Sequence, residues 1–227
     1  MKNHYYIVSL GGSLVCPDGP DFNFLKKFSE FILKWTKKGK KFVIFVGGGK
    51  IARIYQKVAR RLGVKNSQIL DKIGISATLL NANLLLSLFG NQSFFEVQTN
   101  PKKIPKTKKK ILIFGGYKPG WSTDYDAVLA AKTLKVKSVL NLTNVDFVYD
   151  KDPRKFPNAK PIKKISFQEL LKIIGKKWKA GGNFPFDPKA TILAKKEKIK
   201  IFLLNGRNFE NLDNFLKGKD FLGTEIS

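Results

Sequence analysis

The run Asn141-Leu-Thr-Asn-Val-Asp-Phe-Val-Tyr-Asp-Lys-Asp-Pro153 follows a strand-like apolar segment, residues 136–140, and gathers three carboxylates and two amides into one turn. The chain of 227 residues has 17 acidic residues against 43 basic ones. An acidic, amide-rich turn on that background calls for a reason. Its place at the end of a buried strand is informative, because open α/β sheets bind ligands outside the carboxyl ends of their strands.

Outward from this turn, strands and helices alternate. Continuous apolar runs predict strands at residues 5–10, 41–46, 94–97, 111–114, 138–142, 199–204 and 223–226. Between them lie helical patterns. Phe24, Phe28, Phe31 or Ile32, and Trp35 recur on one face of residues 21–38, and Gly39 stops that helix. Ile51, Tyr55, Val58 and Leu62 are expected to point inward from a helix over residues 49–62. A third helix is expected near residues 73–89 and a fourth at 126–134. Ser166 and Glu169 form a capping box for a helix ending at Gly175. Asp187-Pro188 places an N-cap and a first-turn proline before another helix, and residues 208–216 close the series. Strands apolar on both faces belong to parallel sheets covered on both sides. The fold class expected is α/β: a three-layer α/β/α sandwich with a mainly parallel central sheet of about eight strands. Chain length suits one domain spanning residues 1–227.

Composition narrows the setting. No run of eighteen uninterrupted apolar residues predicts a membrane span; the richest stretch, residues 74–90, is broken by Ser76, Thr78, Asn81, Asn83 and Ser87 and reads as a buried helix. No secretory leader is expected at the start. Cys16 and His4 each stand alone, so no intrachain disulfide or Cys/His zinc site is expected, and a cytoplasmic setting fits. His4, ahead of the first strand, reads as surface. Net charge is +26, yet only Arg53, Arg60, Arg61, Arg154 and Arg207 are arginines. The densest lysine cluster, residues 102–110, lacks interleaved aromatics. Nucleic acid is therefore an unlikely partner, although the positive field favours anionic nucleotides.

Three glycine clusters follow strands: Gly11-Gly12-Ser13, Gly47-Gly48-Gly49 and Gly115-Gly116. Glycine lets backbone N–H groups approach phosphate oxygens, and the helix that follows offers its positive end. Residues 47–52 also fit a dinucleotide G-x-G-x-x-A fingerprint, but no acidic residue ends a strand about twenty positions later. Gly49-Lys50 is not a P-loop, because Ile51 stands where a hydroxyl must meet magnesium.

Taken in order, these features resemble the amino-acid kinase superfamily, especially its UMP kinases of archaeal type. The resemblance runs through Gly11-Gly12-Ser13-Leu14, Val46 to Arg53, Asp71-Lys-Ile-Gly-Ile75 with Asn81-Ala82, Gly115-Gly-Tyr-Lys-Pro-Gly-Trp-Ser-Thr-Asp124, residues 143–153, Asp187-Pro188, and Gly223-Thr224-Glu225-Ile226. It implies transfer of the ATP γ-phosphoryl group to UMP. It also implies an acceptor half near residues 1–120 and an ATP half near residues 121–227. Gly12, Ser13, Gly49 and Arg53 would face the ATP phosphates, with Gly12, Ser13 and Arg53 serving catalysis. Thr143, Asn144, Tyr149 and Asp152 would hold the adenosine. Gly48 and Asp71 would bind UMP, with Gly116, Tyr117, Lys118, Pro119, Gly120, Trp121, Ser122 and Thr123 enclosing it. Mg²⁺ would be held mainly by phosphates and water, with no protein metal ligands. A homo-oligomer, commonly a hexamer of dimers, is implied too, and Phe22, Phe24 and Trp35 are candidate contacts.

Bland alternatives stand beside these roles. Pro119-Gly120 is also a plain turn, Asp187 an N-cap, Arg53 a surface residue, Asp71 the cap of the helix after it, and Asp150 and Asp152 turn formers before Pro153. Trp121 suits stacking on a base or on a partner chain. The chain also departs from the family pattern. Ser9 stands where many members carry lysine, Ile192 replaces another family lysine, and Lys189 or Lys195 could substitute. Asp124-Tyr125-Asp126 lengthens its turn by two residues, Phe147 replaces a glycine, and Leu79 an arginine. These departures leave open a different small acid or phosphate acceptor, or a non-catalytic nucleotide binder.

Overall fold

The computed structural model describes residues 5–153, 155–175 and 184–227; His4 and Arg154 lie outside them. The chain opens with β1 (Tyr5–Leu10), a single turn α1 (Gly12–Val15), α2 (Phe22–Lys37), β2 (Lys41–Val46), α3 (Gly49–Arg61), α4 (Ser67–Ser87) and β3 (Ile111–Phe114). It continues through α5 (Thr123–Thr133), β4 (Ser138–Thr143), β5 (Val148–Tyr149), β6 (Pro161–Ile162), β7 (Lys164–Ile165) and α6 (Phe167–Ile174). It ends with α7 (Pro188–Glu197), β8 (Lys200–Asn205), α8 (Phe209–Leu216) and β9 (Thr224–Ile226).

Seven strands form the main sheet in the order β3-β2-β1-β4-β8-β9-β7. All pairs are parallel except β8 with β9, which run antiparallel with α8 in the connection between them. Because strand side chains alternate, each strand feeds two cores. Val8, Leu10, Phe42, Ile44, Ile113 and Leu142 face α2, α8 and the end of α4, where Phe24, Phe28, Leu85 and Leu212 meet them. Ile7, Val43, Phe45, Phe114, Val139 and Ile201 face α5, α6 and α7, where Val128, Leu170 and Ala194 close the other side. This is the three-layer sandwich. The strand order reverses direction between β1 and β4, and the carboxyl ends of these strands form the crevice in which such sheets take ligands.

Four readings need correction. Residues 94–97 are not a strand. Ser93 and Gln98 each bridge once to β3, while Phe94 turns into the core and Phe95 out to solvent, so the ladder breaks between them. In α3 the residues expected inside are outside: Tyr55 is 63% and Leu62 79% exposed, and Val58 and Ile54 are exposed beside them. The buried positions are Gly49, Gln56 and Ala59. Gln56 Nε2 donates to the Leu70 carbonyl at 2.9 Å, and Gly74 leaves room for its amide. The periodicity is real, but it marks a face this chain does not cover. Residues 74–90 likewise bury only one side; Leu80 and Leu88 are exposed. Of the candidate contact residues in α2, Phe24 and Trp35 lie in the core and only Phe22 is exposed.

Helix starts differ as well. Asn66 caps α4, placing Asp71 inside the helix rather than before it. Ser122 caps α5 by accepting from Tyr125 N, three residues ahead of the expected start. By length and composition α4 could cross a membrane, but its buried face carries Asp71, Thr78 and Asn81, and all three bond to loops at the sheet's carboxyl end.

Candidate active site

The first two glycine loops cross backbone against backbone. A Cβ on Gly12 would lie 2.0 Å from Gly49 N, and one on Gly49, at φ +65°, 2.4 Å from Gly12 O. No side chain fits at either position. Gly11 N donates to Leu142 O at 2.8 Å and Gly47 N to Leu10 O at 2.9 Å, fixing the loops to the strand ends. Neither α1 nor α3 has a side-chain N-cap. Lys50 N, in the first turn of α3, donates to Cys16 O at 3.1 Å, and the other N–H groups of that turn are left for an anion. Arg53 is exposed on α3 one turn past Gly49, the spacing that shares a helix face.

The third loop is gripped from several elements. Thr78 Oγ1 accepts from Gly116 N at 2.7 Å, Asp126 Oδ2 from Tyr117 N at 3.0 Å, and Asp71 Oδ2 from Gly120 N at 2.7 Å. Lys189 Nζ donates to Gly120 O at 2.9 Å. Trp121 N donates to Lys118 O, and Gly120 has φ +82°, which makes residues 118–121 a turn with glycine at its left-handed position. The turn and the loop are one object. Trp121 packs on its own chain: Tyr125 at 4.6 Å and Tyr117 at 5.6 Å between ring centres, both tilted against it, with Lys118 Nζ 4.1 Å from its ring centre.

Beneath this loop lies a group of carboxylates, Asp124, Asp126 and Asp187, whose meeting the sequence does not reveal. Ser9 Oγ donates to Asp124 Oδ1 at 2.6 Å, and Asp187 N to Asp124 Oδ2 at 3.2 Å. The end of β1, the first turn of α5 and the cap of α7 are thereby joined. Asp126 Oδ1 and Asp187 Oδ2 are buried without a hydrogen-bond partner. Burial pushes the Asp124 carboxyl up to about 6 and Asp126 up to about 8, and raises Asp187 also. Asp124 and Asp187 add their negative field at Asp126. The signal available was the Asp124-x-Asp126 pair itself, in a chain with so few acids.

Thr143, Asn144, Tyr149 and Asp152 line one cavity of about 760 Å³, a size suited to a nucleoside. Its other wall is Phe147, Lys172, Ile174, Phe184 and Pro185. The α6 side of this cavity was missed because no motif marks it. Asn141 Nδ2 donates to Pro185 O, tying β4 to that wall. Asp150 pairs with Lys160 through backbone and side chain and so holds the β5–β6 ribbon, a structural role. Asp187 is an N-cap, accepting from Ala190 N at 2.7 Å. Among the described residues no three His, Cys, Asp or Glu side chains gather as a metal-holding group.

A parallel α/β/α sandwich with paired glycine loops, a gripped third loop and a nucleoside-sized cavity, all at the sheet's carboxyl edge, defines a phosphate-handling nucleotide site. The chain belongs to the amino acid kinase family, whose sequence model matches residues 5–205. It is 36% identical over 225 residues to the uridylate kinase of Methanobrevibacter smithii, covering 97% of each chain. It is 37% identical over 216 residues to that of Thermococcus onnurineus, covering 94% of this chain and 95% of that one. The crystal structure of uridylate kinase from Archaeoglobus fulgidus superposes with a TM-score of 0.83 at 32% identity over the whole of both chains.

Proposed function

We propose that the protein transfers the γ-phosphoryl group of ATP to UMP, giving ADP and UDP for pyrimidine nucleotide synthesis. The observation that carries this reading is that a nucleoside-sized cavity after β4 and a loop after β3 fastened to Asp71 both follow the carboxyl ends of their strands, one on each side of the β1–β4 reversal. The full-length similarity to uridylate kinases supports UMP as acceptor.

The chemistry asks for alignment more than for proton transfer. An oxygen of the UMP phosphate is already an anionic nucleophile, so no general base is required. Gly12, Ser13 and Gly49 present N–H groups to the ATP phosphates, and Arg53 offers charge from the next turn of α3. Thr143, Asn144, Tyr149 and Asp152 hold the adenosine. Gly48, Asp71 and residues 116–123 hold UMP. Holding two anions in line supplies much of the rate, and fixed N–H donors stabilise the charge that spreads in the transition state. Mg²⁺ carried in with the nucleotide would supply further neutralisation of the phosphate charge. An ion carried mainly by phosphates and water asks little of this donor set: both oxygens of Asp124 and one each of Asp126 and Asp187 accept from Ser9 or backbone N–H groups, and Asp126 Oδ1 and Asp187 Oδ2 are left unpartnered.

On this reading the chain is one catalytic domain, with its acceptor half near residues 1–120 and its ATP half beyond. It works as a cytoplasmic homo-oligomer, and a second copy covers the apolar face of α3 that Tyr55, Val58 and Leu62 leave open. A coupled ADP-release assay with UMP, CMP, dTMP, carbamate and isopentenyl phosphate tests the substrate. UMP is expected to dominate. Turnover only with another acceptor keeps the kinase and discards UMP; ATP binding without any turnover makes the protein a non-catalytic nucleotide binder.

A further inference from the structure

A seven-residue pattern occurs twice in this chain. Ala131-Lys-Thr-Leu-Lys-Val-Lys137 ends α5 and leads into β4, and Ala194-Lys-Lys-Glu-Lys-Ile-Lys200 ends α7 and leads into β8. Both helices close in the same way. Val136 N donates to Ala131 O at 2.8 Å, and Ile199 N to Ala194 O at 2.9 Å. The residue before each donor is left-handed, Lys135 at φ +56° and Lys198 at φ +53°. Glycine is the residue such helix ends favour, and α2, α3 and α8 are followed by Gly39, Gly63 and Gly218 at positive φ. Among the described residues, Lys135 and Lys198 are the non-glycine residues held at positive φ. The helix dipole favours a cation at this end, but Lys132 and Lys195 already meet that need from ordinary helical positions. Two strained lysines in matching places ask for another reason.

Strand pairing sets the two segments side by side: Lys200 N donates to Lys137 O at 2.9 Å. Lys135, Lys137, Lys198 and Lys200 are all exposed there. The acids beside them are taken, Glu197 by Lys132 and Glu225 by Lys200, each at 2.7 Å. Lys135, Lys137 and Lys198 have no carboxylate partner among the described residues. The strip continues beyond β1, where Lys41 opens β2 and Phe42 N donates to Lys110 O, just ahead of β3. Lysine thus stands at or just before the start of β3, β2, β4 and β8, a row about 19 Å long at about 4.8 Å per strand. The buried carboxylates Asp71, Asp124, Asp126 and Asp187 lie at the opposite edge, with the glycine loops.

We propose that this amino-terminal edge of the sheet binds the phosphate backbone of a nucleic acid, by charge and without reading its sequence. Lysine suits that use. The arginine fork reads base edges, whereas lysine offers a point charge that neutralises phosphate and releases its counterions. The scarcity of arginine, which argues against base reading, is what a backbone-only contact asks for. A lipid surface fits less well, because neither segment exposes a large apolar side chain to insert.

The test is fluorescence anisotropy of labelled DNA duplexes of two unrelated sequences, and of a single-stranded RNA, titrated with the full-length protein across a salt series. The two duplexes are expected to bind alike. Lys135→Gly combined with Lys198→Gly removes two charges and puts the favoured residue at both helix ends, so the melting temperature is expected to hold or rise. The slope of log K against log salt is expected to shrink by about two, one for each lysine, and Kd at about 0.1 M salt to rise about tenfold or more. Lys26→Gln combined with Lys27→Gln, exposed on α2, removes the same charge elsewhere and is expected to bind as wild type. Should the glycine pair melt earlier, Lys135→Asn with Lys198→Asn also tolerates the left-handed conformation and is read in its place. The RNA arm distinguishes the two sources of phosphodiester: the polymer whose binding the glycine pair weakens is the one this edge takes. Equal weakening by both lysine pairs would make the effect one of net charge and overturn the proposal. Absence of binding at low salt would overturn it as well. So would binding to phosphatidylglycerol vesicles but to neither nucleic acid, which would give the edge to a lipid surface.

Discussion

Asp126 shows how one residue couples the site to pH. Burial raises its carboxyl to about 8, from an unfolded value near 3.8. Between those values the folded protein holds a proton that the unfolded chain has released. The stability this contributes is complete below about 3.8 and is lost as pH rises through about 8. Asp124 and Asp187 shift in the same direction. Asp213, pulled down to about 2 by hydrogen bonds from Lys217 and Lys34, works in the opposite sense, and its contribution disappears only as pH falls through about 2. Calorimetric melting between pH 5 and 8.5 is therefore expected to show Tm falling as pH rises. Asp126→Asn, which can still accept from Tyr117 N, should flatten that slope; an unchanged slope would mean the proton resides elsewhere. Kinetics give the companion prediction. Asp71 holds Gly120 in the loop proposed to enclose UMP, so Asp71→Ala should raise KM for UMP by about tenfold or more, the cost of losing one hydrogen bond to a carboxylate, and leave KM for ATP unchanged. Arg53→Ala should lower kcat more than UMP affinity. Unchanged kinetics in both variants would show that these roles are misassigned.

Among the elements, α3 is the most instructive, because its apolar periodicity is easy to read and misleading about where it points. A stripe of Ile51, Tyr55, Val58 and Leu62 looks like a core face. The structure buries Gln56 and Ala59 instead, because the small side chain of Ala59 and the cleft at Gly74 let α3 pack closely on α4. Periodicity reports that a face is apolar; it does not say which molecule covers it. The strands were easier to read, since runs apolar on both faces have no other home than a covered parallel sheet. Residues 94–97 failed that rule, because an edge segment can leave its ladder after one bridge while its composition stays the same. The exposed α3 stripe makes a physical prediction. Val58→Lys should shift the protein to a smaller species in light scattering coupled to gel filtration, with little change in the monomer's melting. A wild-type protein that is already monomeric would reject the second copy.

For the molecule as a whole, the candidate site was legible where backbone chemistry demands a residue type and hidden where it does not. Gly12 and Gly49 could be found because their loops touch and nothing but glycine fits. Thr143 to Asp152 could be found because a polar turn ended a buried strand. The joining of Ser9, Asp124 and Asp187 could not, because three distant segments meet only after the sheet forms. The +26 charge belongs to this scale as well, since no single lysine explains it. Spread over the surface, it produces a field that raises the local concentration of anionic nucleotides. That field acts over about 10 Å at 0.1 M salt and about 3 Å at 1 M, whereas contacts inside the crevice are far less screened. Raising ionic strength from about 0.05 to 0.5 M should therefore lower kcat/KM for ATP and for UMP several-fold and leave kcat almost constant. If kcat falls in step with kcat/KM, salt is weakening contacts made in the transition state, and the surface charge is not what brings the nucleotides in.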